Sequence, residues 1–356
     1  MKTTEAKPVQ LGESSHAVTL AELSRLCTVP AGQETRTLWP VFSVCCLVTS
    51  VQQYAHLREQ LSQQGFTDEL CEFLACDNSE ANRFSAYDGI RLFLREAKGR
   101  YVLILHQDAI PLESAAKLLA GIAAVENHDP LWGVIGNAGR TDGSRSVLSI
   151  VSGEDVYRPD SAFVRVTTID ENMMLIRNGT GITLSADVGG YHFYAFDLCS
   201  VAARLGYHSY VVDHLWRHDS HGTVDDDFLA AKQRMEEKMR AYHQGALVPT
   251  TCTSLCWSPS PFQKARARAL SILTISNEKH RGIRRKMWLE GLFTNPLFLF
   301  YIVYYRFRDA WYWGKRGLDS RGRGAGSARA ENLKSCGSRE PGAGAGEPGE
   351  RNRNEV

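Results

Sequence analysis

The 356-residue chain lacks a charge bias: 41 Lys and Arg stand against 40 Asp and Glu, a formal net charge of +1. So balanced a chain has no global field to draw in a polyanion. Nucleic-acid binding would have to rest on a local basic patch, and none stands out in residues 41–245. An apolar run of the ~20 residues that a membrane-crossing helix needs is also missing near the C-terminus, where the uninterrupted stretch Pro296–Tyr305 has 10 residues. Met1–Pro40 has no charged start followed by a long apolar core and a small-residue cleavage site, so it reads as an N-terminal extension and not as a secretory signal. No second Cys/His pair follows Cys252 and Cys256 at zinc-site spacing, which discounts a structural zinc. The nine cysteines are odd in number and lie mostly in apolar runs, where a thiol acts as a small hydrophobe. A reducing compartment, the cytoplasm, is expected.

With 43% hydrophobic and 23% charged residues, the length suits one large α/β unit with appendages. Val41–Ser50 is β-branched and apolar on both faces, as a strand buried between helix layers must be. Residues 53–64 read as a helix and Cys71–Cys76 as a strand. Ser79 is placed to cap a helix running to Glu96, with Gly99 as its stop. Tyr101–His106 is the third strand, Pro111 opens a helix over Leu112–Val125, and Leu131–Asn137 is a fourth strand.

After residue 138 the rhythm changes. Val147–Val151 and Phe163–Thr168 are short strands without helices between them, so mixed pairing is expected there. Residues 171–177 restore a strand, Tyr194–Leu205 is an amphipathic helix stopped by Gly206, Tyr207–Asp213 is a strand, and Thr223–His243 is a long charged helix. Residues 246–316 read as a helical extension. Within it, 281–313 sets RGIRRK beside an aromatic-rich apolar stretch, which suits contact with a membrane surface; a helix packed on the catalytic domain or on a second subunit is the plainer reading. Residues 317–356 hold nine Gly but only two Leu and one Val, too little apolar surface to offset ordering, and read as a disordered tail.

In an open α/β sheet ligands gather beyond the carboxyl ends of the strands, and three strand ends here are polar: Thr49-Ser50, Asp77-Asn78 and Gln107-Asp108. Asp108, delivered by a buried strand, can hold Mg²⁺ or Mn²⁺ by oxygen ligation, and such an ion neutralises a diphosphate leaving group. It can equally cap the helix expected at 112. Asp77 can accept from a pyrimidine N–H or a ribose hydroxyl, whereas Asn78 shapes its turn by bonding backbone groups or touches the nucleotide.

In order along the chain come C-D-N-S-x-x-N from Cys76, L-I-L-H-Q-D from Leu103, G-Y-H-F-Y-A-F-D-L-C-S-V-A-A-R-L-G-Y-H-S-Y-V-V-D from Gly190, and H-D-S-H-G from His218. Together they resemble glycosyltransferase family 2, and within it a bacterial branch in which the usual Asp-x-Asp reads His-Gln-Asp and a later block reads His-x-Tyr-x-x-Asp-Leu-Cys. The match spans roughly residues 41–228. The resemblance implies a GT-A (nucleotide-diphospho-sugar transferase) fold, a Rossmann-like mixed sheet flanked by helices. It also implies hexosyl transfer from a nucleotide-sugar co-substrate, with Asp77 near the nucleobase and Asp108 at the diphosphate-bound metal. His106 departs from the family by replacing the first acid.

In the same way the resemblance implies that His218 ligates the metal or touches the diphosphate; His221, before Gly222, reads as part of a turn. Inversion at an anomeric carbon needs a base, and Asp197 stands in the block that corresponds to the family's acidic acceptor-site motif, with Asp187 as runner-up. Asp197 can alternatively stabilise its helix's positive end, and Ala195 stands where many relatives carry another acid. Asp170 and Glu171 are reserves, Glu171 reading as a solvated loop acid, and Arg204 reads as an exposed helix residue.

These readings converge on an inverting transferase that moves a sugar, UDP-linked by preference, to a saccharide or lipid-linked acceptor in surface-polysaccharide synthesis. It would work in the cytoplasm or peripherally on the inner membrane face, with no nucleic-acid partner. The alternative is a catalytically inactive relative that binds or scaffolds within a polysaccharide complex. Nucleotidyl transfer is disfavoured because Thr49-Ser50-Val51-Gln52 is not a Gly-rich basic phosphate loop.

Overall fold

The computed structural model describes residues 40–142, 145–218, 224–242, 246–274 and 281–307. The N-terminal extension, His221 and the C-terminal tail lie outside the described residues. The chain divides at Ile302 into two units, the second being Val303–Val356. In that second unit residues 303–307 are helical.

A seven-stranded sheet organises the first unit. Its strands are β1 (Phe42–Val48), β2 (Cys71–Asp77), β3 (Tyr101–Leu105), β4 (Trp132–Gly136), β5 (Phe163–Val166), β6 (Met173–Arg177) and β7 (His208–Val212), in the order β5-β7-β4-β6-β3-β1-β2. β1 is parallel to both β2 and β3, and β7 is parallel to β4. β6 runs antiparallel between β3 and β4, and β5 antiparallel beside β7. The expected mixed sheet flanked by helices holds. The reversed β6 matters for function, because it brings the residues before Met173 to the edge where β1, β2 and β3 end.

The continuous apolar runs of the central strands follow from burial on both faces. On one face Val44, Cys46, Leu103 and Leu105 pack against α1 (Val51–Gln63) and α3 (Ala115–His128) through Leu57, Leu61, Leu118 and Ile122. On the other, Cys45, Val102 and Ile104 meet α2 (Ala86–Glu96), α4 (Tyr194–Arg204) and α5 (Asp226–Tyr242) through Ile90, Phe93, Phe196 and Met235. Successive residues of one strand thus serve opposite layers, the period-2 pattern of a pleated strand.

Two expected helix starts are corrected. α2 begins at Ala86, capped by Ser85 and not by Ser79, because the Asn78 amide holds residues 83 and 84 in a loop. α3 begins at Ala115 with Ser114 as its cap, while Pro111 lies in the short strand Ile110–Pro111. Asp108 therefore caps no helix. Gly99 follows α2 for a packing reason: a Cβ there would lie 2.5 Å from the backbone nitrogen of Ser43.

Residues 246–302 belong to the same unit as the sheet. α6 (Pro261–Thr274) and α7 (Arg281–Thr294) pack with Phe298 around a small apolar cluster of Ala265, Ala269 and Ile272. Among the described residues no helix is long and apolar enough to cross a membrane.

Candidate active site

Asp77 and Asp108 emerge at the same sheet edge. β1 lies between their strands, with Val48 beside Asp77 and Cys46 beside Leu105. Two strand spacings of 4.7–4.9 Å put the strand ends about 10 Å apart. Asp77 is exposed, and its carboxylate accepts the backbone N–H of Ser79 at 2.8 Å; the Ser79 hydroxyl first and this backbone N–H second hold its pKa below the ordinary carboxylate value. Asn78 is buried and spent on the backbone: its Nδ2 donates to Phe84 O at 2.9 Å, while its Oδ1 accepts from the N–H groups of Arg83 and Phe84 at 3.0 Å each. Gln107 ties β3 to β1 by accepting at Oε1 from the backbone N–H groups of Thr49 and Ser50 (3.0 and 3.1 Å) and donating to the Thr49 hydroxyl.

Around Asp108 stand two imidazoles. His106 Nδ1 is 4.0 Å and His218 Nε2 3.6 Å from Asp108 Oδ1, and the three ligand atoms lie within 4.8 Å of one another. Distant segments meet here through short strands. Trp216–Arg217 pairs antiparallel with Ile110–Pro111, Arg217 opposite Ile110, which carries His218 back to Asp108. That return is fastened by Glu113, which accepts the Leu215 N–H at 2.8 Å and pairs with Arg158 and Lys117. Arg158 also bonds Asp213 at 2.6 Å. Although burial works to raise the Glu113 carboxyl, these bonds prevail and bring it down to about 2.

The residues fit a divalent cation. Two imidazoles and one carboxylate are a mixed nitrogen and oxygen set, better suited to Mn²⁺ than to Mg²⁺, which prefers oxygen. His106 is supplied with a fixed orientation: its Nε2 lies 2.6 Å from Tyr194 Oη, in the first turn of α4. Burial and the neighbouring His218 depress the His106 pKa, favouring the neutral imidazole that a metal requires. A cation bound at Nδ1 would require the tautomer in which Nε2–H donates to Tyr194 Oη, leaving the Nδ1 lone pair on the Asp108 side.

Thr49, Asp77, Gln107, Asp108 and His218 thus share one edge, whereas the carboxylates of the two residues read as bases are each engaged by a protein partner. Asp197 is fully buried, and its two oxygens accept from the Ser185 N–H (2.7 Å) and hydroxyl (2.8 Å). It locks the 185 loop to α4, because a carboxylate drawn into a core must find such donors. Asp187 is exposed and ion-paired with Lys238, which keeps its carboxyl below the ordinary value. Arg204 stacks over the Tyr242 ring at 4.7 Å.

Glu171 departs from the expected solvated loop acid. It is partly buried, and its carboxyl is pushed up to about 8 by burial and by the adjacent Asp170, against the pull of the Ala195, Tyr194 and Phe193 backbone N–H groups. Its neighbour Asn172 is 1% exposed, and neither polar atom of its amide has a protein partner. The position of Asp170-Glu171 just before a strand was visible in the sequence. Their burial, the Tyr194–His106 bond and the Glu113–Arg158–Asp213 network had no local signal.

No family model matches the chain. Among solved structures it is similar to TarS of S. aureus in complex with UDP-GlcNAc, with 13% identity, a TM-score of 0.39, and coverage of 56% of this chain and 66% of that one. A second is the mannosyltransferase PcManGT from Pyrobaculum calidifontis in complex with GDP-Man and Mn²⁺, with 11% identity, a TM-score of 0.37, and coverage of 89% and 94%. A curated protein of Fuscovulum blasticum is 34% identical over 217 residues, which make up 58% of this chain and 87% of that protein. The chain belongs to the same family as that protein, described as "ATP synthase subunits region ORF 6".

Proposed function

We propose that the chain is an inverting glycosyltransferase of GT-A type, similar to family 2. It moves a sugar from a nucleotide-diphosphate donor, UDP-linked by preference, to a hydroxyl of a saccharide or lipid-linked acceptor in surface-polysaccharide synthesis. The observation that carries the reading is the His106, Asp108 and His218 cluster on the same sheet edge as Asp77. Those three side chains would hold Mn²⁺, which when bound neutralises charge on the leaving diphosphate. Asp77 accepts from the nucleobase or ribose, while Thr49 and Gln107 shape the floor between the two acids. Asn78 and Asp197 act as positioning residues.

The test is calorimetry of UDP, GDP and TDP with Mn²⁺ or Mg²⁺, followed by transfer assays over a panel of their sugars. UDP binding that needs Mn²⁺ and falls at least tenfold in His218→Ala and Asp108→Asn is expected. A chain that binds no nucleotide overturns the reading. One observation favours a second reading, a binding protein without turnover: Ala195 leaves the head of α4 without an exposed acid of its own, and the Asp197 carboxylate is engaged by Ser185. Donor binding without turnover over the whole panel would support it.

The surface formed by α7 and the residues after it supports a peripheral place on an anionic membrane face. Leu289, Leu292 and Phe293 are exposed there at 47%, 38% and 88%, beside exposed Arg281, Arg285 and Lys286. Apolar residues with cationic neighbours suit the headgroup layer, where a lipid-linked acceptor would present its sugar. Of the stretch 281–313 read from the sequence, residues 308–313 lie outside the described residues.

A further inference from the structure

The head of α4 is built without an acid of its own. Phe193, its N-cap, holds a left-handed φ of 66° and caps nothing with its side chain. Among the described non-glycine residues it alone has a positive φ, the strained conformation that gathers at functional sites. Ala195 brings no polar group, and Asp197 is spent on Ser185. The acid at this turn comes from elsewhere in the chain.

β6 delivers it. Because β6 runs antiparallel beside β3, with Met173 opposite Leu105 and the His106 N–H donating to Asn172 O at 3.0 Å, Glu171 leaves the sheet at the edge where His106 and Asp108 stand. The residue stands directly before Asn172, whose carbonyl accepts the His106 N–H, and the backbone N–H groups of Phe193, Tyr194 and Ala195 pull its carboxyl pKa down against burial, while Tyr194 Oη lies 2.6 Å from His106 Nε2. Asn172, buried with two unpartnered polar atoms, adds unused hydrogen-bonding capacity at this edge.

We infer that Glu171 is the general base of the transfer proposed above, occupying from β6 the place that α4 leaves to Ala195. The inference rests on the glycosyl-transfer reading. In the step, the acceptor hydroxyl gives its proton to the Glu171 carboxylate as its oxygen forms a bond to the anomeric carbon. The bond from that carbon to the diphosphate oxygen breaks, and the nucleoside diphosphate departs with the electron pair from the opposite face. Glu171 then returns the proton to solvent. A helix cap alone does not account for the residue's place: it precedes Asn172, whose carbonyl accepts the His106 N–H, at the edge where the cation ligands stand, and burial beside Asp170 raises its carboxyl toward the working range of a base.

The experiment compares the full chain with Glu171→Gln and Glu171→Asp, using the donor of the panel that the wild type turns over, with its saccharide acceptor or with water. Three quantities are read: turnover, UDP affinity in Mn²⁺, and thermal midpoint. Glu171→Gln keeps the size and polarity of the side chain, so the midpoint should hold and UDP affinity stay within about twofold while turnover falls ~10²–10⁴-fold. Glu171→Asp keeps a carboxylate and should retain more turnover than Gln at the same UDP affinity, a difference a purely structural cap does not produce. A transferring wild type whose Gln variant keeps its turnover overturns the base alone. A wild type that turns over no donor removes the glycosyl-transfer reading and the base with it.

Discussion

Nε2 of His106 lies 2.6 Å from the hydroxyl oxygen of Tyr194, joining the end of β3 to the first turn of α4 across 88 residues of sequence. That bond selects the ring face that His106 turns toward Asp108. Burial and the nearby Glu171 and Asp170 carboxyls raise the Tyr194 pKa far above the ordinary phenol value, so the hydroxyl stays protonated and neutral.

Removing that hydroxyl in Tyr194→Phe should therefore weaken Mn²⁺ binding by about 10–100-fold, the usual cost of losing the partner that orients a metal-ligating histidine. Calorimetric Mn²⁺ titration in the presence of UDP checks it. An unchanged affinity would show that His106 is not a ligand.

Asn78 bonds three backbone groups of its loop, so Asn78→Ala should cost about 2–4 kcal/mol of stability. Urea unfolding measures this directly. An asparagine that acts on the nucleotide would do the reverse, lowering UDP affinity at unchanged stability.

His214 is 1% exposed, and burial takes its pKa down from the ordinary 6.5 to about 4. A base with a lowered folded pKa is neutral in both states above 6.5. Below 6.5 the unfolded chain binds a proton that the folded chain refuses. This residue's contribution should thus be fully present above pH 6.5 and fade between 6.5 and 4, by up to about 3 kcal/mol. Urea midpoints at pH 7, 5.5 and 4.5 for the wild type and His214→Gln should differ in slope over that window. Parallel profiles would remove the assignment.

Leu289→Glu with Phe293→Glu should reduce flotation with anionic vesicles at least tenfold and leave flotation with zwitterionic vesicles near background throughout. Both side chains are exposed and outside the catalytic machinery, so turnover on a soluble acceptor should not move. Equal flotation of variant and wild type would end the membrane reading.

Much of the fold is readable in the residues because the core strands are largely apolar, β3 at every position. Val41–Ser50, Cys71–Cys76 and Tyr101–His106 match β1, β2 and β3 to within a few residues. Helix starts were less legible. Ser79 and Ser85 are equally good caps by type, and the choice fell to the Asn78 amide, which bonds residues that a helix from Ser79 would have consumed. Among the acids, strand-end placement pointed to Asp77 and Asp108. The same local view does not show that Asp197 is buried and bonded by Ser185, or that Glu171 is partly buried, since neither fact is written beside them in the chain.

What the sequence determined by itself is the order of apolar and polar runs, hence the strands, their burial between helix layers and the polar character of their carboxyl ends. Only the tertiary structure decided which polar groups share that edge, because the reversal of β6 and the return of residue 218 through the Trp216–Arg217 pairing are contacts over long stretches of chain. A carboxyl's chemistry depends on its distance from water and from other charges. Those distances are set by packing, which put Asp197 in the core and left Glu171 partly buried at the edge where β3 ends.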